Sequence, residues 1–154
     1  MQDQLRAQMA AFLAGHDVGI LSTNGARGAW AMPVRYLSRD LEVECLLPRW
    51  ADVAYHLEQD PHVLLVVQDC PSSTAPPLVR GSEMGLRWLQ IQGIARPVAA
   101  PDWVGLLPTW TSATPPGVLY LAVRVTPRCI DLFDESRGWG ARETVEMLPK
   151  KEVL

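Results

Sequence analysis

Short runs in which apolar and polar residues alternate recur along this chain, and they restrict its possible folds more than any other feature. In the clearest run, residues 119–126, leucine or valine occupies every odd position, while tyrosine, alanine, arginine and threonine occupy the even ones. A period of two residues predicts a β-strand with one buried face. Residues 86–98 alternate in the same way, with Leu89 and Ile91 on one face and Trp88, Gln90 and Gln92 on the other. With the shorter apolar runs, we predict strands at 18–23, 28–36, 41–47, 62–68, 86–98, 119–126 and 129–133.

Turn signals separate most of these strands. Asn24-Gly25 is the strongest short hairpin signal in the chain and predicts the first turn. Ser38-Arg39-Asp40 predicts a second turn, and Pro127-Arg128 predicts a break between the last two strands. Six or seven short strands joined mostly by tight turns favour a mainly β, antiparallel barrel over a βαβ sheet.

Helical periodicity interrupts the strands at three places. A first helix is predicted over 2–14, with Leu5, Met9, Phe12 and Leu13 on its apolar face. A second is predicted from Pro48 to about Gln59, and a short third over 101–107. In the second helix one face is predicted to hold Trp50, Val53, Ala54 and Leu57. Because this helix falls between two barrel strands, it leaves a gap in the wall, which is a common place for a ligand.

The length of 154 residues predicts one domain. We divide it into an N-terminal helix (1–15), a long Pro- and Ser-rich loop (69–86), a C-terminal tail without a firm period (136–154) and the barrel between them. The net charge of −3 argues against nucleic-acid binding, and no apolar run approaches the roughly 20 residues of a membrane span. Because the N-terminus lacks a signal-peptide pattern, we expect a soluble cytoplasmic protein.

The residues that most often carry chemistry form no recognisable motif. The three cysteines lack a C-x-x-C spacing, and only Cys70, beside Pro71, is expected to be accessible enough to react. His16, His56 and His62 are not spaced as zinc ligands, so no metal is expected. No nucleophile–histidine–acid set and no Gly-rich phosphate loop is present. An enzyme built on this chain would therefore rely on a cofactor.

Four segments, in this order and spacing, resemble a known family. They are 18–25 (VGILSTNG), 30–36 (WAMPVRY), 53–63 (VAYHLEQDPHV) and 89–95 (LQIQGIA). The third matches a helix that ends in Leu-x-x-(Asn/Asp)-Pro and the strand after it. Together they resemble the FMN-binding split barrels of the pyridoxamine 5′-phosphate oxidase-like proteins over roughly residues 5–133.

The resemblance implies an FMN cofactor held between the subunits of a homodimer. In the family, basic and hydroxyl residues near the start of the helix after the third strand hold the flavin phosphate. Here the usual Ser and Lys positions fall on Ala51 and Val53, which cannot bind a phosphate. Arg49, one turn earlier, can substitute, with Arg35 on the facing strand, because a guanidinium can bond two phosphate oxygens at once.

The resemblance also implies where the flavin ring would lie. Strand backbones at 32–34 and 45–47 would form an apolar slot, Gln90 and Gln92 would face the polar ring edge, and a tryptophan at 50 or 88 would cover the ring. Trp139 and Arg142 would reach the site from the tail, although their spacing differs from the family's. The predicted cofactor-binding residues are Met32, Pro33, Val34, Arg35, Leu46, Leu47, Arg49, Trp50, Gln90, Gln92, Trp139 and Arg142.

Three functions remain open at this stage. The first is an FMN-dependent oxidoreductase with a small-molecule substrate or electron donor. The second is a protein that binds FMN, a deazaflavin or haem without robust turnover, and the third is a barrel with an empty cleft that acts through its dimer surface. Vitamin B6 oxidation is not predicted, because the oxidase's substrate-phosphate residues have no match here.

Overall fold

The computed structural model describes residues 1–69 and 85–147. Cys70, most of the predicted 69–86 loop and the tail beyond Met147 lie outside the described residues. The elements, in chain order, are α1 Gln2–Ala14, β1 Val18–Gly25, β2 Gly28–Arg39, β3 Glu42–Pro48, α2 Asp52–Gln59, β4 His62–Asp69, β5 Arg87–Pro97, α3 Trp103–Leu106, α4 Pro116–Leu119, β6 Tyr120–Asp134, a 3-10 turn Glu135–Arg137, and β7 Arg142–Glu146. No described helix is long and apolar enough to cross a membrane.

The strands form one antiparallel sheet that closes on itself. The hydrogen-bonded order is β3-β2-β1-β4-β5-β6-β7, and a further pairing of β3 with β6 closes the first six strands into a barrel. β7 extends the sheet beyond that closure. The predicted split-barrel architecture is therefore confirmed, and the alternation that predicted β5 holds, since Leu89 and Ile91 are fully buried while Gln92 is exposed.

The split in the barrel lies along one edge of β6, where its neighbouring strand changes from β3 to β7. Its first part, from Tyr120 to Val125, pairs with β3, and its later part, from Cys129 to Phe133, pairs with β7. The predicted strand break at Pro127-Arg128 is wrong. The strand continues there through a register shift against β5, in which Gln92 lies opposite Cys129 and Gly93 opposite Pro127. Arg128 is thus the extra residue of a β-bulge, which bends a strand without ending it.

Both predicted turns exist, shifted by one to two residues. Asn24 and Gly25 belong to β1, and Gly25 pairs with Gly28, so the first turn consists of residues 26 and 27. The second turn lies at residues 40 and 41, where Asp40 takes a positive φ of 56°. Asp tolerates this left-handed conformation better than most residues, which explains why the chain reverses one residue later than predicted.

The helices α1 and α2 pack against the barrel. Helix α1 contacts β2, β5 and β7 and buries Met9, Phe12 and Leu13 in the main core, as predicted. Helix α2 contacts β1, β2 and β3, but it begins at Asp52 rather than Pro48. Trp50 therefore lies outside the helix and is 84% exposed, so its predicted place on the buried helical face is wrong.

Two elements were not predicted. One is the single-turn helix α4 at Pro116–Leu119, which includes Leu119, the predicted first residue of a strand. The third helix was predicted but is shorter than expected, at Trp103–Leu106. Strand β7 was missed in the tail, where only Val145 is fully buried and the remaining residues are polar. Its pairing with β6 depends on a partner strand that local sequence does not reveal.

Candidate functional site

The predicted site residues fall into two groups. The first group lies on β2, β3 and the β3–α2 connection, where Arg35 pairs directly with Leu46. The second group lies on β5, β7 and the turn before β7. Along the closed sheet, β1 and β4 separate β2 from β5, so in-register residues of β2 and β5 are about 14 Å apart on that side. Within one chain, the sheet does not bring the twelve residues together.

In the first group, the side chains divide between the barrel interior and its outer surface. Val34 and Leu47 are buried in the main core. Leu46 packs instead into a second, smaller cluster with Leu106 and Ala122. These three candidate residues therefore offer a ligand only their backbone. Pro33 and Arg35 are exposed on the outer face of β2.

Arg49 is held in place by the segment that precedes β6. Its side-chain Nε donates a hydrogen bond to the carbonyl oxygen of Gly117 at 2.9 Å, and its amide nitrogen donates to the carbonyl oxygen of Leu119 at 2.9 Å. Within residues 1–69 and 85–147 its two Nη atoms form no hydrogen bond or ion pair. A guanidinium positioned in this way keeps a pair of donors for an anion.

The positions at which the family resemblance expects Ser and Lys face the protein interior. Ala51 and Val53 are both buried, and Val53 belongs to the main core. Ala51 is also the N-cap residue of α2 and provides no side-chain hydrogen bond. These two positions do not fit a phosphate, so Arg49 and Arg35 are the candidate phosphate ligands of this group.

An exposed apolar strip lies beside Arg35 and was not predicted. Val18 and Ile20 on β1 are 47% and 41% exposed. In register they pair with Arg35 and Pro33 of β2, so the four residues share the outer face of the sheet. The sequence contains a sign of this strip. Apolar residues occupy both faces of β1, with Val18 and Ile20 on one face and Leu21 on the other, whereas a strand with one buried face needs them on that face only.

In the second group, Gln90 and Gln92 point outward from β5, as predicted. Trp88 stacks on Phe133, with ring centroids 4.6 Å apart and an angle of 8° between the planes. The Arg142 guanidinium lies 5.9 Å from the centroid of the same Phe133 ring. Trp88 is thus occupied by packing within the chain, whereas Trp139 is fully exposed in the turn before β7.

Each histidine has a partner near it. The two His16 ring nitrogens lie 2.7 Å from the Phe12 carbonyl oxygen and 3.2 Å from Asp69. His56 Nδ1 lies 3.4 Å from the Thr23 hydroxyl, and His62 Nδ1 lies 2.6 Å from Asp60. Among the described residues, no group of three His, Cys, Asp or Glu side chains is arranged to hold a metal ion.

Comparison with known proteins identifies the fold. No protein-family model matches the chain, and no curated protein matches it either. Solved structures do match. A Listeria innocua protein described as a candidate pyridoxamine 5′-phosphate oxidase is 17% identical, with a TM-score of 0.65; the match covers 84% of this chain and 98% of that one.

Two further solved structures carry names that mention a ligand. The FAD-binding protein from Mycobacterium smegmatis is 14% identical, with a TM-score of 0.58, and the match covers 83% of this chain and 93% of that one. The haem-binding protein from the same organism is 16% identical, with a TM-score of 0.61, and the match covers 92% of this chain but 56% of that one. The chain therefore has the split-barrel fold of the pyridoxamine 5′-phosphate oxidase-like proteins.

Proposed function

We propose that this protein binds FMN between the two subunits of a homodimer and acts as a flavin-dependent oxidoreductase. The observation that carries the proposal is Arg49, whose Nε bond to Gly117 leaves its two Nη atoms for a phosphate. It lies three residues after Leu46, which pairs with Arg35 on β2. Arg35 beside an exposed apolar strip, together with Arg49 directly after the neighbouring strand β3, suits a ligand with a phosphate at one end and a flat ring at the other.

The side chains of this protein favour a flavin over the other cofactors considered. Structures with this fold include proteins named as FAD-binding and as haem-binding. A haem would require an axial ligand from the protein. A flavin needs no such ligand, and the Nη atoms of Arg49 can donate to its phosphate. FMN therefore agrees better with the described side chains, and a deazaflavin with a phosphate uses the same arginines.

The chain's own residues would bind and orient the cofactor. Arg49 and Arg35 hold the phosphate, and the backbone of β2 at residues 32–34 lies against the ring. Gln90, Gln92, Trp139 and Arg142 lie on a different stretch of the sheet from Arg35 and Arg49, and in the proposed dimer they complete the site from the partner subunit. FMN, when bound, supplies hydride or electron transfer, and the protein supplies position and electrostatics.

A visible absorption spectrum of the purified protein, with and without added FMN, tests the cofactor. We expect a bound-flavin spectrum, a dimeric mass in light scattering, and bleaching of the flavin by a nicotinamide donor with turnover. Bound FMN without turnover would indicate a protein that binds flavin but is not an oxidoreductase. A sharp haem band instead, or no binding at micromolar FMN, would overturn the FMN proposal.

Arg49→Ala tests the site itself. Loss of a charge-assisted contact should weaken FMN binding by about 1.5–3 kcal/mol, or roughly 10- to 150-fold in Kd. Arg27→Ala is the matched control, because Arg27 is exposed in the β1–β2 turn and makes no ion pair in the described structure. Equal FMN affinity in both variants would remove Arg49 from the site.

A further inference from the structure

The split in the barrel leaves part of β6 without a neighbour on one side. β3 pairs with β6 only as far as Val125, and β7 pairs with it only from Cys129. In the described structure, residues 126–128 therefore have no strand on that edge, and the carbonyl oxygen of Arg128 accepts a hydrogen bond of 2.8 Å from the amide of Met147, just after β7. Pro127 lies in this stretch, and proline suits an unpaired edge because it has no amide proton to donate to a neighbour.

A groove lies over this stretch. It has a volume of about 830 Å³, and it is lined by Leu41, Ile94, Pro127 and Met147 together with Arg39, Arg96 and Arg128. The volume is in the range of sites for small molecules, about 300–1,000 Å³. None of these residues belongs to the predicted flavin site.

The charges along the groove are not balanced. Asp40 and Glu42 also line it, but Arg39 lies opposite Glu42 in the strand register and 3.8 Å from Asp102 outside the groove. Arg96 and Arg128 form no ion pair with any residue in the two described ranges. The lining thus has three arginines against two carboxylates, and Arg96 and Arg128 lie on the side of the groove formed by β5 and the β6 bulge.

The bulge that places Arg128 depends on a specific glycine. A Cβ atom at Gly93 would lie 2.5 Å from the backbone oxygen of Thr126, too close for any other residue. The close approach of β5 and β6 at this point accompanies the extra residue Arg128. Bulges often redirect a side chain next to a binding site.

We infer that this groove binds an amphipathic carboxylate, a molecule with an apolar chain and one terminal carboxylate. The apolar lining receives the chain, and the guanidinium groups of Arg96 and Arg128 bind the carboxylate, for which the planar guanidinium fork is well suited. The inference does not rest on the proposed flavin site and goes beyond it, since it assigns a second ligand to a different part of the barrel.

Calorimetric titration with decanoate, in the presence and absence of FMN, tests the inference. We expect one saturable site per chain in both conditions, and at least tenfold weaker binding of decanol, which has the same chain length without the charge. The double variant Arg96→Gln/Arg128→Gln should bind decanoate at least tenfold more weakly than the wild type. Absence of saturable binding to the wild type would overturn the inference.

The control variant is Arg6→Gln/Arg27→Gln, which removes the same net charge away from the groove. Equal losses in the two double variants would show a general charge effect and contradict the site, as would equal binding of decanol and decanoate. If the groove variant does not fold, hydrogen exchange of the wild type replaces it. Decanoate should then protect the amides of Thr126 and Arg128, and protection confined to other regions would overturn the inference.

Discussion

At the scale of single residues, two kinds of position restrict which side chain the fold can accept. One is the bulge, where β5 and β6 approach closely, and the other is the set of polar groups buried in the core. Gly93 has no room for a side chain against the backbone of Thr126. The Tyr36 hydroxyl donates a hydrogen bond of 2.7 Å to the carbonyl oxygen of Leu13 and thereby links β2 to the end of α1. Cys45 is fully buried on β3.

Gly93→Ala should destabilise the fold. The added methyl group must displace backbone at Thr126 rather than a flexible side chain, so we expect the free energy of unfolding to fall by about 1–3 kcal/mol in urea titrations. Gly15→Ala is the control, since a Cβ there meets its nearest atom at an ordinary 3.4 Å and Gly15 has φ −81°. Equal stabilities of the two variants would contradict the close approach of β5 to the backbone of Thr126.

Cys45 should make stability fall at alkaline pH. Burial raises the pKa of the Cys45 thiol from 9.0 to about 12. Below about pH 8 the thiol is neutral in both states and contributes no pH dependence. Above it the unfolded chain loses the proton first, so the native state binds more protons and stability decreases, by at most about 1.4 kcal/mol per pH unit until the native thiol also ionises.

Urea unfolding of the wild type and of Cys45→Ala, compared from neutral to alkaline pH, measures this contribution. The variant is expected to be less stable throughout, because it leaves a cavity, but its stability should decline less steeply above pH 9. Parallel declines in the two proteins would assign the alkaline loss to other groups, among them Tyr36, whose pKa is raised by burial and by Asp17 and Cys45.

At the scale of elements, α2 is held by packing rather than by its ends. Its N-cap residue, Ala51, has the extended backbone typical of a cap but no side chain that can accept a hydrogen bond from the first turn. By contrast, Asp102 accepts a hydrogen bond from the amide of Gly105 at the start of α3. The packing of Val53 and Ala54 against the barrel compensates for the missing cap.

Ala51→Ser should therefore stabilise the protein. A serine hydroxyl at this position can accept a hydrogen bond from a first-turn amide, which is worth about 0.5–2 kcal/mol in the free energy of unfolding. Ala29→Ser is the matched control, because Ala29 is exposed on β2 and caps nothing. A loss of stability in Ala51→Ser would indicate that the buried site has no space for the hydroxyl.

At the scale of the whole molecule, the barrel buries its interior but leaves apolar surface on the outer face of β1. Val18 and Ile20 remain exposed beside the outward residues of β2. A second copy of the chain would cover this strip, and the proposed cofactor site would then combine the arginine group of one subunit with the glutamine and tail group of the other.

Ile20→Arg should disrupt the proposed dimer. A charge at the centre of an apolar interface would be buried without a partner, so we expect a monomeric mass in light scattering and a parallel loss of FMN binding. Val104→Arg is the control, because Val104 is exposed on α3 rather than on β1. A dimeric Ile20→Arg protein that binds FMN normally would exclude this face as the interface.

Local patterns predicted most of the elements. The alternation within β5 and the apolar face of α1 are properties of neighbouring residues, and both appear in the structure as predicted. Both turns were predicted, but each lies one or two residues later in the structure. Several adjacent residues can form a turn at these places, and the strand pairing decides which of them do. β7 was missed because its partner, β6, is a separate segment of the chain.

The sequence by itself determined that this chain forms a mainly β, antiparallel barrel with a helix at its start, because burial periodicity and turn chemistry act over a few residues. Tertiary structure decided how the site residues are placed. In the folded barrel, Ala51 and Val53 are buried, and Arg49 lies on a different part of the sheet from Gln90 and Arg142. Residues 126–128 line one groove with Leu41 and Met147. These placements depend on strand order and register, which arise from long-range pairing and leave no local trace in the sequence.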